Sequence, residues 1–205
     1  MAELLLIRHG KTAGNLLGRY IGSRTDEPLC DEGREGLAGK QLPEVERLYV
    51  SPMKRCVETA EILWPGFDRK KMQKVTDLRE CDFGDFENKN YKELSGNGDY
   101  QAWIDSNGTL PFPNGESMDA FKSRCLEAFA RIVEEVSVAE QEWIASGKTG
   151  IFRAGIVVHG GTIMAILEQY GYPKAAYFDY QVKNGCGYRL TPVEGTRLWN
   201  CLCLQ

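Results

Sequence analysis

The chain has 205 residues, of which 42% are hydrophobic and 26% are charged, and this is the composition of an ordinary globular protein. It excludes disordered, collagen-like and coiled-coil chains, and the length gives room for a core that needs no disulfides or structural metals. Because 29 acidic residues outnumber 25 basic ones, the net charge is −4. That balance argues against proteins that coat nucleic acids or membrane surfaces, so we expect neither as a partner.

The seven cysteines are odd in number and scattered, and none forms a CxxC pair. This pattern predicts reduced thiols and therefore a cytoplasmic protein. With only two histidines the chain also lacks the ligand spacing of a zinc site, so we expect no metal. The apolar run at residues 4–7 is too short for a signal peptide, and no window approaches the roughly 18 apolar residues of a membrane span.

Short apolar runs alternate with helical patterns along the chain. Residues 4–7, 47–50 and 156–158 have the continuous apolar character of strands that are buried on both faces of a parallel sheet. Apolar side chains at helical spacing predict helices after the second and third of these runs, the latter over 162–170. The same spacing predicts a long helix over 117–142.

Two further strands are expected at 187–191 and 197–202. Strands that alternate with helices predict one α/β domain over residues 1–205, a three-layer α/β/α sandwich around a mostly parallel central sheet. Residues 78–115 lack a long period, and we interpret them as an excursion of short helices over the sheet edge and the active site. The sequence does not define the oligomeric state, although the late strand near Trp199 offers an edge for an interface.

Candidate catalytic residues lie where the buried strands end, because ligands of such sheets bind beyond the carboxyl ends of the strands. The two histidines, His9 and His159, each end a predicted strand and precede a glycine. A single histidine is more often structural than catalytic, but two at equivalent strand ends favour a site. The glycines let a ligand approach backbone N–H groups closely.

A third strand end carries Ser51, Pro52 and Arg55. Serine followed by proline predicts a helix start, with Ser51 as the cap. Arg55 would then lie in the first helical turn, on the same side of the sheet as Arg8. Guanidinium groups match phosphate oxygens in a bidentate geometry, so the pair indicates a phosphate site. The alternative is two unrelated surface arginines.

Five sequence blocks, in this order, resemble the motifs of the histidine phosphatase superfamily, the phosphoglycerate mutase-like proteins. They are Arg8-His9-Gly10, Ser51-Pro52-x-x-Arg55, Leu78-Arg79-Glu80, Asn114-Gly115-Glu116-Ser117 and His159-Gly160-Gly161. One such block is a weak signal, whereas five in order across most of the chain are a strong one. The resemblance implies the same α/β/α fold and a phosphoryl-transfer enzyme that needs no cofactor.

The resemblance also implies a covalent mechanism with His9 as the nucleophile that becomes phosphorylated. The other ring nitrogen of His9 then needs a backbone carbonyl as its hydrogen-bond partner, which fixes the tautomer. Glu80 is implied as the general acid that protonates the leaving alcohol and as the base that later activates water. Asp82 and Glu87 lie close by as substitutes.

Binding of the phosphoryl oxygens is implied for a set of cationic and amide groups, namely Arg8, Asn15, Arg55, His159 and the backbone amide of Gly160. Positive charge around a dianion is expected to keep His159 protonated near neutral pH. The same charge would perform the electrostatic role of a metal ion. Thr12 is a weaker candidate, because its hydroxyl can simply cap the turn.

Within the superfamily the chain is most similar to the short bacterial alpha-ribazole phosphatases, partly through Tyr20-Ile21-Gly22. This likeness implies a small phosphorylated metabolite as the partner, with alpha-ribazole phosphate as one candidate, and Tyr20 and Gly22 as substrate-binding residues. Several aromatic residues offer a stacking surface for a flat ring, namely Tyr20, Phe83, Phe86, Tyr91 and Trp103. For each of them we prefer the simpler interpretation that it packs the excursion onto the sheet.

Two alternative functions remain open. A phosphoglycerate mutase must shield its phosphohistidine from water, which usually requires longer insertions than a chain of 205 residues carries. A non-catalytic binder of phosphorylated ligands would be expected to have lost a catalytic residue. The chain retains all five candidates for catalysis, namely His9, Glu80, Arg8, Arg55 and His159.

Overall fold

A single sheet of seven strands forms the centre of the computed structural model, which describes residues 2–205. The strands are β1 (Glu3–Arg8), β2 (Arg47–Val50), β3 (Gln73–Lys74), β4 (Arg153–Val158), β5 (Gly171–Tyr172), β6 (Gly187–Pro192) and β7 (Trp199–Leu204). Their order in the sheet is β3-β2-β4-β1-β6-β7-β5. The first four in this order are parallel to one another, whereas β6 is antiparallel to both of its neighbours. The predicted mostly parallel sheet is confirmed.

Helices cover both faces of the sheet. They are α1 (Ala13–Leu16), α2 (Asp31–Glu35), α3 (Lys54–Leu63), α4 (Gly98–Asp105), α5 (Met118–Ala145) and α6 (Gly160–Tyr170). Short 3₁₀-helices span Arg69–Lys71, Thr76–Leu78, Gly84–Phe86 and Tyr177–Tyr180. In β1, Leu4 and Leu6 pack under α5 and α6, while Leu5 and Ile7 pack under α3. Side chains of a strand alternate between its two faces, so a fully apolar strand supplies both core layers of the expected three-layer fold.

The start of α3 corrects a prediction. The helix begins at Lys54 with Met53 as its N-cap residue, so Ser51 does not cap it. The backbone N–H of Lys54 donates instead to Asp26 Oδ1, at 2.7 Å, from a distant loop. Ser51 is fully buried, and its hydroxyl lies 2.7 Å from His159 Nε2. A long-range contact therefore replaces the local cap that the sequence indicated.

Residues 78–115 contain short helices, among them Gly84–Phe86 and α4, and aromatic side chains of this segment pack against one another. Ring centroids of Phe86 and Tyr100 are 5.3 Å apart, and those of Trp103 and Phe112 are 5.2 Å apart. Phe86 belongs to an apolar cluster with Phe121 of α5 and Ala165 of α6, and Trp103 packs against it. These aromatic side chains therefore pack the excursion against helices and not, as predicted, onto the sheet itself, whereas Tyr91 is 64% exposed. The helices of residues 2–205 all fall short of the combined length and apolarity that a membrane crossing demands.

Candidate active site

Two histidines meet at the carboxyl end of the sheet. Because β1 and β4 are adjacent and parallel, the residues that follow them emerge side by side. His9 follows β1 and His159 follows β4, and their ring centroids are 5.2 Å apart. The backbone N–H of His9 also donates to the Val158 carbonyl at 2.9 Å. Both imidazoles are buried, so the structure brings together the two strand ends that the sequence singled out.

The tautomer of His9 is fixed by its own loop. His9 Nδ1 lies 2.7 Å from the Gly10 carbonyl oxygen, so Nδ1 carries the proton. Nε2 is left with a free lone pair. Burial lowers the pKa of His9 well below its ordinary value, and the charges of Arg55 and Arg8 lower it further. His9 is therefore a neutral imidazole near neutral pH, which is the form that can act as a nucleophile.

His159 is neutral in the protein without a bound anion. Burial lowers its pKa well below the ordinary value, and Arg55, His9 and Arg8 act in the same direction. Two nearby guanidinium groups disfavour a third positive charge on this imidazole, whereas the predicted protonated His159 belongs to the site with a dianion bound and stays a prediction. Protonation of His159 thus requires the negative charge of a bound ligand.

The two arginines are held rigidly by backbone carbonyls. Arg55 is fully buried and donates from Nη1 to Thr25 O at 2.8 Å and from Nη2 to Gly22 O at 3.1 Å. Arg8 donates from Nη1 to Val182 O at 2.7 Å. Among residues 2–205, neither guanidinium is paired with a carboxylate, and the Nε of each is buried without a partner. Buried charges of this kind are costly unless an anion compensates them.

Gly22 supports Arg55 through its backbone. Its carbonyl accepts from Arg55, and its N–H donates to Glu87 Oε1 at 3.0 Å. A Cβ at this position would lie 2.2 Å from the Cys81 carbonyl oxygen, so only glycine fits. Tyr20 is half-buried, with its hydroxyl 3.2 Å from that of Tyr100. The structure thus gives Gly22 a role in positioning Arg55 and places Tyr20 against the aromatic cluster, while the substrate contacts of both residues stay predictions.

Glu80 is the buried carboxylate of the site. Its Oε1 accepts from the Cys81 N–H at 3.0 Å, and its Oε2 accepts from the Gly161 N–H at 3.4 Å. Burial raises its pKa, although these hydrogen bonds and the charges of Arg55 and Arg8 oppose the rise. A raised pKa suits a group that must hold a proton and then release it.

The two alternative candidates for the proton donor, Asp82 and Glu87, bind other groups through their carboxylates. Asp82 forms an ion pair with Arg24 at 2.8 Å and accepts from the Gly84 N–H at 2.9 Å. Glu87 accepts from the backbone N–H groups of Gly22 and Arg24, both at 3.0 Å. Both carboxylates therefore hold loops together, and the geometry favours Glu80 over either of them.

The N-terminus of α6 faces the site. Gly160 is its first residue, and a Cβ there would lie 3.3 Å from Arg8 Cζ. A Cβ at Gly161 would lie 2.7 Å from Glu80 Oε1. The paired glycines therefore let a guanidinium and a carboxylate approach the helix start. The N–H groups of the first helical turn, one of which already donates to the Glu80 carboxylate, and the positive end of the helix dipole make this a favourable place for an anion.

Asn15 and Thr12 form one turn beside His9. The Thr12 hydroxyl accepts from the Asn15 N–H at 3.2 Å, and Asn15 Oδ1 accepts from the Thr12 N–H at 3.2 Å, so Thr12 acts as a cap. Asn184 Nδ2 also donates to Asn15 Oδ1, at 3.2 Å, and to the His9 carbonyl, at 3.1 Å. Sequence reasoning missed Asn184, which locks the His9 loop; the only signal was the glycine-rich segment 185–187 that follows it.

Thr59, which follows Arg55 in the second motif block, supports the site through its hydroxyl. Its hydroxyl accepts from the Gly10 N–H at 2.9 Å and donates to the Arg55 carbonyl at 2.6 Å, so it links the His9 loop to α3.

Within the described residues, no group of three or more His, Cys, Asp or Glu side chains is arranged to hold a metal ion.

Comparison with known proteins identifies the family. A family model described as Histidine phosphatase superfamily (branch 1) matches residues 4–203. Phosphoglycerate mutase-like protein 4 of Arabidopsis thaliana is 30% identical over 178 residues, which cover 82% of this chain and 70% of that protein. Adenosylcobalamin/alpha-ribazole phosphatase of Salmonella typhimurium is 28% identical over 203 residues, which cover 94% and 92% of the two chains.

A solved structure shows the same fold. The alpha-ribazole phosphatase from Shigella flexneri superposes with a TM-score of 0.75 at 24% identity, and the match covers 98% of this chain and 95% of that one. The family model spans nearly the whole sequence, and the motif residues of that sequence converge at one end of the sheet. The chain therefore belongs to branch 1 of the histidine phosphatase superfamily and is a phosphatase or phosphoryl-transfer enzyme.

Proposed function

We propose that the protein is a phosphomonoesterase that moves the phosphoryl group of a small phosphorylated metabolite first to His9 and then to water. The observation that carries this proposal is a pair of guanidinium groups, fully buried at Arg55 and half-buried at Arg8, whose buried Nε atoms have no hydrogen-bond partner among residues 2–205. They lie close enough to His9 and His159 to lower the pKa of both imidazoles. A tetrahedral dianion fits this environment because it compensates the buried positive charges.

The first chemical step forms a bond between His9 Nε2 and phosphorus and breaks the ester P–O bond. The leaving alkoxide takes the proton of Glu80 and departs as an alcohol. Arg8, Arg55 and the α6 N-terminus stabilise the charge on the three phosphoryl oxygens. His159, protonated when the dianion binds, adds a further donor. Asn15 and the Gly160 N–H complete the proposed set of phosphate contacts.

The second step returns the site to its starting state. Water gives a proton to the Glu80 carboxylate and attacks phosphorus, and the bond between phosphorus and Nε2 breaks. Inorganic phosphate leaves, and Glu80 is again protonated. Every proton in this cycle passes through a protein side chain, so we propose a metal-independent enzyme of the histidine acid phosphatase type.

Alpha-ribazole phosphate is the first substrate to test, because relatives that are named for this activity match nearly the full length of the chain. The test is phosphate release from a panel of phosphorylated metabolites that includes it, with a chelator present throughout. Release that the chelator does not reduce supports the proposal, and activity that returns only on metal addition contradicts it. Isomerisation of a phosphoglycerate with little phosphate release would favour the mutase alternative.

The covalent step has its own test. Wild-type protein mixed with labelled substrate and quenched in alkali should carry a phosphoryl group that is stable to base and labile to acid, as a phosphohistidine is. The variant His9→Ala should lose both this label and turnover, with a rate loss of at least about 10⁴-fold. Retained turnover in a folded His9→Ala protein would rule out His9 as the nucleophile.

A further inference from the structure

A largely buried ion pair lies next to the backbone of the proposed proton donor, Glu80. Arg124 of α5 binds Glu116, which precedes α5, through two parallel hydrogen bonds: Nε to Oε1 at 2.7 Å and Nη2 to Oε2 at 2.8 Å. Each side chain is only 13% exposed. A bidentate pair of this kind has one defined geometry, so it can hold other groups in fixed positions. The catalytic cycle proposed above uses neither residue.

The other N–H groups of Arg124 bind the backbone that leads to Glu80. Nη1 donates to the carbonyls of Asp77 and Arg79, both at 2.7 Å, and Nη2 donates to the carbonyl of Glu80 at 3.0 Å. This segment leaves the 3₁₀-helix Thr76–Leu78 and has no regular structure at Glu80. Three carbonyl oxygens that point at one place repel one another unless a cation lies between them, and Arg124 supplies that cation.

Glu116 fixes the backbone on the other side of Glu80. Its Oε2 accepts from the Asp82 N–H at 3.3 Å, and its own N–H donates to the Asp82 carbonyl at 2.9 Å. The pair therefore holds residues 77–82 on both sides of the proton donor. Within the described part of the chain, the carboxyl of Glu80 has two longer hydrogen bonds of its own, from the N–H groups of Cys81 and Gly161 at 3.0 and 3.4 Å.

From this geometry we infer that Arg124 and Glu116 are positioning residues that aim the Glu80 carboxyl at the leaving oxygen of the substrate. The inference rests on the proposed phosphatase function and on the role of Glu80 within it. Arg124 touches the Glu80 backbone and not the reacting atoms, so its loss should misplace the acid without removing the phosphate contacts. A small displacement of a catalytic group is enough to slow a proton transfer strongly.

The test compares two substrates whose leaving groups differ in acidity. An alkyl phosphate releases a weakly acidic alcohol that needs a proton from Glu80, whereas a nitrophenyl phosphate releases an acidic phenol that does not. We expect Arg124→Lys and Glu116→Gln to lower kcat/KM for the alkyl phosphate by roughly 100-fold, near the usual contribution of general acid catalysis. The value for nitrophenyl phosphate should fall by less than about threefold, and KM for both substrates should stay near wild type.

Arg131→Gln is the matched control. Arg131 lies on the same helix and binds the same segment, but through the Asp77 carboxylate at 2.7 Å and with its own side chain half-exposed. It should behave as wild type toward both substrates. A combined Glu80→Gln and Arg124→Lys variant should lose little more than Glu80→Gln alone, because both changes remove one proton transfer.

The outcomes separate the two proposals. Equal losses for the two substrates in both Arg124→Lys and Glu116→Gln, or fully additive losses in the combined variant, would overturn the positioning role and leave a purely structural ion pair. Thermal melting of each variant shows whether it is folded, and Glu116→Gln retains an amide oxygen in case Arg124→Lys is unstable. Failure of the wild-type protein to hydrolyse either ester would instead defeat the proposed function itself.

Discussion

At the scale of single residues, the surroundings of each titratable group set its protonation state. His9 and His159 are neutral because burial and two guanidinium groups oppose a further positive charge. Glu80, which is buried among the same groups, is pushed toward its protonated form by desolvation. A neutral nucleophile beside a protonated acid is the combination that phosphoryl transfer to an imidazole requires.

Anion binding should therefore be coupled to proton uptake. Titration with tungstate, a phosphate-like dianion, is expected to draw about one proton onto His159, because the dianion reverses the field that lowered its pKa. Calorimetry in buffers of different ionisation enthalpy measures this uptake. The uptake should vanish in His159→Gln and persist in His9→Gln, and binding without uptake in the wild type would contradict the prediction.

The pH profile should report Glu80. A general acid works only while protonated, so kcat/KM for an alkyl phosphate should fall as the pH rises through the pKa of Glu80. Because burial raises that pKa, the fall should lie above the ordinary range of a glutamate. Glu80→Gln should remove this limb of the profile along with most of the activity, whereas Asp82→Asn should retain it. A limb that Glu80→Gln leaves unchanged would assign it to another group.

At the scale of elements, small helices and loops hold the ends of the strands. The helix α2 packs so closely on the loop after His9 that a Cβ at Gly33 would lie 2.0 Å from the Lys11 carbonyl oxygen. The loop before β6 also contacts this segment, because the N–H of Gly185 donates to the His9 carbonyl at 3.0 Å. Two elements that are separate from this loop in sequence, α2 and the segment before β6, therefore hold the backbone around His9.

Gly33→Ala should consequently separate α2 from this loop. We expect it to lower the free energy of unfolding by at least about 2 kcal/mol, because backbone atoms must move to relieve the clash. Gly36→Ala is the control, since Gly36 is exposed and has φ −66°, a conformation open to any residue. Urea unfolding of the two variants measures the difference in unfolding free energy. Equal values would show that the contact between α2 and the loop after His9 does not stabilise the fold.

The sequence carried enough information for the strands and for the strand ends. Local apolar runs gave β1, β2 and β4 to within a few residues, and the motif order placed His9 and His159 at neighbouring ends. Contacts between residues that are distant in sequence could not be predicted from local patterns. Asp26 caps α3 in place of Ser51, and Asn184 reaches the site only because β6 runs antiparallel to β1. No local pattern encodes such pairings.

At the scale of the whole molecule, the aromatic part of the apolar core around Phe129 and the candidate active site lie at opposite ends of the sheet. The layer under α5 and α6 is a large apolar core that includes Phe129, whose ring lies 5.5 Å from that of Tyr170 and 6.3 Å from that of Trp199. These residues lie toward the end of the sheet where β1 begins, near Ala2. Stability and chemistry are therefore concentrated in different parts of the fold.

Removing that ring should change stability and spare catalysis. Phe129→Ala is expected to cost about 3–5 kcal/mol of unfolding free energy, the usual result of deleting a buried aromatic side chain. At temperatures well below the new midpoint, kcat should stay within about twofold of wild type. Val138→Ala on the same helix, at a 56% exposed position, should change the unfolding free energy by less than about 0.5 kcal/mol. A large fall in kcat for folded Phe129→Ala would show that the two regions are coupled.

The single reversed strand β6 has a practical consequence. Because it enters the sheet beside the His9 loop, it must leave at the opposite rim, where the turn 193–198 joins it to β7. Glu194 to Arg197 are exposed there, and Gly195 has open space around it. A fluorophore, an affinity tag or a surface tether attached at this turn would sit at the far pole of the molecule and leave the reaction centre open to solution.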